Sequence, residues 1–201
     1  MELLKNKITL FLLVIGAFAT GFAGCANDVN LHPDPGVVRV VLQSAPQDTS
    51  IVLVKDTLPV GDSDVMMANV FQGKIYDGEK YFILYKNLNT TNQEDETYNL
   101  LKRDNGEYFP HIIFETQLPE ATYDTLEFGL TASYLRLGTN RVDIVMPEGE
   151  EILMRLGREI RISENDTTEV TVQVKPLESV QRRRNTMVFN RQVEITDIAV
   201  K

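Results

Sequence analysis

Residues 169–175 read Glu169-Val170-Thr171-Val172-Gln173-Val174-Lys175, polar and apolar in strict alternation. A period of two sends successive side chains to opposite faces of an extended strand. Val170, Val172 and Val174 therefore share a buried side, and Glu169, Thr171, Gln173 and Lys175 share a wet one. β-Branched residues also favour the pleated surface over a helix. A strand with one dry face needs a second layer to cover it, which is the requirement of a two-sheet sandwich.

The same half-buried pattern recurs outward from this stretch. Arg141-Val142-Asp143-Ile144-Val145-Met146 and Arg158-Glu159-Ile160-Arg161-Ile162-Ser163 are short alternating runs. Turn-forming Pro147-Glu148-Gly149 and Glu164-Asn165-Asp166 follow them, as hairpins would require. Reading in both directions gives strands at 37–43, 51–54, 65–76, 81–86, 98–102, 111–115, 125–131, 141–146, 151–156, 159–163, 169–175 and 187–198. No long run has the helical period. The expected fold is an all-β, two-layer antiparallel β-sandwich of about seven to ten strands, with an open barrel as the alternative. Residues 87–96, NLNTTNQEDE, form the one long polar interruption and read as a surface loop within a single domain.

The N-terminal stretch obeys different rules. A short basic start with Lys5 and Lys7 leads into an apolar run, ITLFLLVIGAF at 8–18, and then into small residues up to Gly24. That is the order of a signal peptide, and the run is shorter than the ~20 residues a spanning helix needs. Phe22-Ala23-Gly24-Cys25 resembles the lipobox of bacterial lipoproteins, with Phe22 where leucine is usual. The resemblance implies cleavage before Cys25 and acylation of its thiol, and several acyl chains hold a protein at a membrane firmly. Residues 1–24 are then a leader, 25–36 a lipidated cysteine and flexible tether ending in Pro33, Pro35 and Gly36, and 37–201 the sandwich. Ala26 follows the cysteine where aspartate would signal inner-membrane retention, so the outer membrane is the favoured address.

Composition removes several function classes. Of 201 residues, 43% are hydrophobic and 24% charged, as in ordinary globular chains. The net charge of −9 would repel a polyanion, so nucleic acid is not an expected partner. Cys25 is the sole cysteine, so no intrachain disulfide can form, and acylation would remove its thiolate from chemistry. His32 and His111 are too few for a multi-histidine zinc centre. Asp62-Ser63-Asp64 and Glu164-Asn165-Asp166 cluster oxygens without the full ligand run of a calcium loop, so they read as turns. No nucleophile elbow or phosphate-cradling glycine loop is present, so no catalytic residues, cofactor or metal are assigned. Arg182, Arg183 and Arg184 form the only basic run, placed in a loop before the last expected strand, where they could meet an anion or an acidic partner.

Several motifs in order resemble the bacterial lipoprotein domain of unknown function numbered 4382. The family's opening strand and "Leu-Thr-Asp-Ala-Pro" turn are matched by Val37-Val38-Arg39-Val40-Val41-Leu42-Gln43-Ser44-Ala45-Pro46, with Gln43 and Ser44 departing. Leu100-Leu101, Leu118-Pro119-Glu120-Ala121-Thr122-Tyr123 and Leu126-Glu127-Phe128 follow, Ala121 replacing a glycine. Met146-Pro147-Glu148-Gly149, Val172-Gln173-Val174-Lys175 and Glu178-Ser179-Val180 complete the series, without the family's two aspartates. The resemblance implies a transthyretin-like or related sandwich and no established activity. The expected role is a non-enzymatic, membrane-tethered envelope interaction or assembly module with a protein or glycan partner. The alternatives are a fimbrillin-like adhesin subunit, or a carbohydrate- or ion-binding domain of an outer-membrane uptake system.

Overall fold

A computed structural model describes residues 34–53, 56–91 and 95–201, and throughout them the regular structure is β. The leader and most of the tether, including Cys25 and His32, lie outside the described residues. Among those described, no helix is long and apolar enough to cross a membrane.

The smaller sheet contains β1 (Gly36–Ser44), β9 (His111–Leu118), β13 (Thr167–Val174) and β16 (Val193–Val200), in the order β16-β13-β1-β9. β13 is the alternating stretch, and its valines at 170, 172 and 174 are fully buried. β1 pairs with it in parallel, Val40 opposite Val170, so the sheet is mixed where an antiparallel one was expected. A parallel neighbour needs a long connection, and everything between residues 44 and 167 supplies it.

The larger sheet is built on two long strands, β4 (Val65–Asp77) and β10 (Ala121–Leu137), paired antiparallel along their length. β5 (Lys80–Ile83) and β6 (Glu96–Asn99) share the far edge of β4. β11 (Asn140–Val145) and β12 (Leu153–Ile162) share the far edge of β10. The hairpin of β14 (Val180–Arg183) and β15 (Thr186–Phe189) extends the sheet beyond β11, with β15 parallel to β11. Two small hairpins complete the chain, β2 (Ser50–Leu53) with β3 (Asp56–Pro59) and β7 (Arg103–Asp104) with β8 (Glu107–Tyr108). Residues 187–198, expected as one strand, are instead β15 and β16 in different sheets, separated at 190–192.

The inner faces of the two sheets form one core. Phe114 of β9 and Phe128 of β10 meet edge to face at 6.1 Å, and both are buried. Gly73 of β4 makes room for this contact, because a Cβ there would lie 2.6 Å from the Phe114 ring. Large aromatics of this kind contribute most of a sandwich core's burial energy.

Candidate functional site

Arg182 and Arg183 end β14, and Arg184 opens the two-residue turn into β15 with φ of 55°. The expected loop is thus a hairpin tip, with Arg182 opposite Met187 and Arg183 opposite Thr186. All three side chains are exposed, and Arg182 Nε donates to the Arg184 carbonyl at 2.9 Å, bracing the turn.

Strand directions locate this tip. β1 begins at Gly36 opposite Leu118, the end of β9, and Ala121 opens β10 close by, opposite Ile162. β10 leads away from that pole and β11 returns toward it, while β15 follows β11 with Met187 level with Ile144. β14 opposes β15 and therefore points away again. The tip stands past Asp143, which pairs with Tyr134, about 40 Å of strand from Ala121 at ~3.3 Å per residue.

The acidic turns act as turns. Asp64, 7% exposed, accepts from Gly61 N at 2.8 Å and Gly138 N at 2.7 Å, tying the turn before β4 to the end of β10. Glu164 Oε1 accepts from Asp34 N at 3.1 Å, and Val37 N donates to the Asp166 carbonyl at 2.8 Å, so this turn holds the start of β1. His111 packs between Tyr98 and Phe109, its Nε2 3.1 Å from the Asn99 carbonyl. Burial, with Lys102 nearby, holds its imidazole below the ordinary value, which suits a packed neutral ring. Asp48, 2% exposed, accepts from Leu177 N at 2.7 Å and Glu178 N at 3.2 Å. Burial raises its carboxyl above the ordinary value despite those two bonds.

The feature that sequence reasoning missed lies on the outer face of the larger sheet. Register puts Lys74, Glu127 and Arg155 in one row across β4, β10 and β12. Glu127 is only 3% exposed although it faces away from the core. Its Oε1 accepts from Lys74 Nζ at 3.2 Å and Tyr76 Oη at 3.0 Å, and its Oε2 from Arg155 Nε at 2.6 Å. Burial pushes the carboxyl up, but the bonds from Arg155, Tyr76 and Lys74 outweigh it and hold it below the ordinary value. The Arg155 guanidinium also lies 5.2 Å from the Tyr76 ring, and Tyr76 meets Tyr81 at 5.8 Å.

A bulge assembles this row. Opposite the single residue Phe128, β4 inserts both Gln72, at φ 50°, and Gly73. The extra residue reverses the alternation, so Phe71 and Lys74 both face outward while Gly73 and Ile75 face the core. Phe71 lies against Gly129, where a Cβ would stand 2.2 Å from its ring. Phe71, Gln72, Lys74, Tyr76 and Glu127 on one side and residues 151–153 with Arg155 on the other enclose an open groove of about 700 Å³. Arg191 fixes the second wall, donating to the carbonyls of Ile152, at 2.6 Å, and Glu151.

Among the described residues, no group of three or more His, Cys, Asp or Glu side chains is placed to hold a metal ion. No family model matches this chain, and comparison with curated proteins and with solved structures gives no match.

Proposed function

We propose that this chain is an exported bacterial lipoprotein, acylated on Cys25 and held at the outer membrane, whose sandwich is a non-enzymatic interaction or assembly module of the envelope. The likeness to the lipoprotein domain numbered 4382 belongs to this reading. The observation that carries it is the position of the arginine hairpin. A tether joined at Gly36 leaves the tip of Arg182, Arg183 and Arg184 at the opposite pole, about 40 Å of strand away. At that separation, well beyond a Debye length of ~8 Å, a charge at the Gly36 pole does not act on the tip, and the partner we propose for it is an acidic protein or glycan surface. A chain with net charge −9 that gathers three cations at one turn reserves that turn for a local contact and not for a nucleic acid.

Two measurements test the reading. The mature chain partitions into the detergent phase and has an intact mass that includes acyl groups, whereas Cys25→Ser partitions into water. Replacing all three arginines by glutamine abolishes capture of the envelope partner without moving the unfolding midpoint. A free thiol on the mature chain would overturn the tether, and unchanged capture would overturn the role of the tip.

A further inference from the structure

We propose that the groove over Glu127 is a carbohydrate site for an acidic glycan, taking a hexuronate ring with its carboxylate on Arg155 and Lys74. This builds on the domain being a binding module, but it does not depend on Cys25 or on the arginine hairpin.

The argument begins with the direction of the hydrogen bonds. Both Glu127 oxygens are taken, Oε1 by Lys74 and Tyr76 and Oε2 by Arg155. What the floor offers a ligand is therefore donors, namely the remaining ammonium hydrogens of Lys74 and the terminal nitrogens of Arg155. On the floor two cations face one carboxylate and leave a local positive charge, which Glu151 on the far wall balances across the groove. Arg155 gives its Nε to Glu127 and makes a further contact with Tyr76, yet its side chain is 67% exposed, so terminal N–H groups remain open to solvent. The Glu127 bond and the Tyr76 ring hold the guanidinium in place, which favours its recognition of a carboxylate.

The apolar side of the groove fits a sugar ring. The Phe71 ring lies against Gly129 and lines the groove while half-buried, which provides an aromatic surface beside the cations. Covering a strand glycine accounts for the Phe71 ring alone, without the exposed guanidinium next to it. A pyranose stacks its C–H face on such a ring and carries its carboxylate at the ring edge, within reach of Arg155. The groove is an open trough of about 700 Å³ with no closed apolar pocket for a peptide anchor. Glu151 on the far wall repels a carboxylate from that side and so sets the ring's direction.

The test is calorimetric titration of the full mature chain in detergent micelles with tri-galacturonate, the neutral galactotriose and a hexa-glutamate peptide. Tri-galacturonate is expected to bind saturably, more weakly as salt rises, and at least about tenfold more tightly than either control. Arg155→Gln and Phe71→Leu should each weaken it about tenfold, with unfolding midpoints measured to show that both variants remain folded. Arg155→Lys, which keeps the charge and loses the fork, should fall between. Silence toward tri-galacturonate, equal binding of galactotriose, equal binding of the glutamate peptide, or affinity unchanged in folded Arg155→Gln would each overturn the proposal. Any of these beside intact detergent partitioning and tip-dependent capture refutes the sugar site alone.

Discussion

Glu127 is a buried carboxylate whose removal has a calculable cost with a definite pH signature. Bonds to a charged acceptor contribute about 1.5–3 kcal/mol each when they are shielded, and less when the donor can return to water. Lys74, with a side chain 28% exposed, and Tyr76 are the shielded donors, whereas Arg155 recovers hydration on release. Glu127→Ala should therefore cost about 2–4 kcal/mol, and Glu127→Gln, which keeps the shape and loses the charge, about 1–2 kcal/mol. For a domain of this size that is a fall in the unfolding midpoint of about 2–8 °C for the glutamine variant. The carboxyl is held below its ordinary value near 4.5, so the folded state binds this proton more weakly than the unfolded chain. Its contribution is then complete above that ordinary value and disappears as pH falls through the lowered one. Urea unfolding of wild type and Glu127→Gln from pH 7 to pH 3 should show a gap that is full at neutrality and shrinks on acidification. A gap constant across that range, or a glutamine variant as stable as wild type at pH 7, would refute the account.

Asp48 should behave with the opposite sign. Its carboxyl is raised above the ordinary 3.8, so its effect on stability is most favourable below that value and is lost as pH rises toward the raised one. Asp48→Ala, which orphans the amides of Leu177 and Glu178, should cost about 2–4 kcal/mol by denaturant unfolding at pH 7. Gly73→Ala should drive a methyl into the Phe114 ring and cost about 1–3 kcal/mol, recovered in part by Phe114→Leu in the double variant. Replacing Arg182, Arg183 and Arg184 together by glutamine should move the thermal midpoint by less than about 2 °C, because the three side chains are exposed.

The strands legible in sequence were those whose alternation runs unbroken. Residues 169–174 fall within β13, with the expected end at 175 one residue too far, and 141–146 overlap β11, because period two holds through both. What escaped is where the backbone interrupts its own period. β10 continues to Leu137 past the expected end at Thr131, because Ser133 is an extra residue opposite Ala68 and Met67 and the pattern slips there. β12 joins what reads as two strands, with Arg158 and Glu159 bulged opposite Asp124. The parallel pairing of β1 with β13 was also hidden, since alternation specifies which face is buried and is indifferent to the direction of the neighbour.

The groove was illegible for a related reason. Lys74 and Glu127 are 53 residues apart, and Glu127 and Arg155 are 28 apart, so only the register of three strands makes them neighbours. In sequence Glu127 sits between the apolar Leu126 and Phe128, and alternation alone specifies its face and not its exposure. Outward-facing residues of a sheet are wet by default, and one becomes buried only when longer side chains from both flanking strands close over it. Here Lys74 and Tyr76 come from β4 and Arg155 from β12. The bulge at Gln72 and Gly73 is what aligns them, because in a strand of regular alternation residues three apart, such as Phe71 and Lys74, would point to opposite faces. A bulge at this point sacrifices ladder pairing in the longest strand pair of the fold, and its result is a preorganised cation pair beside a flat ring on the face the core does not use.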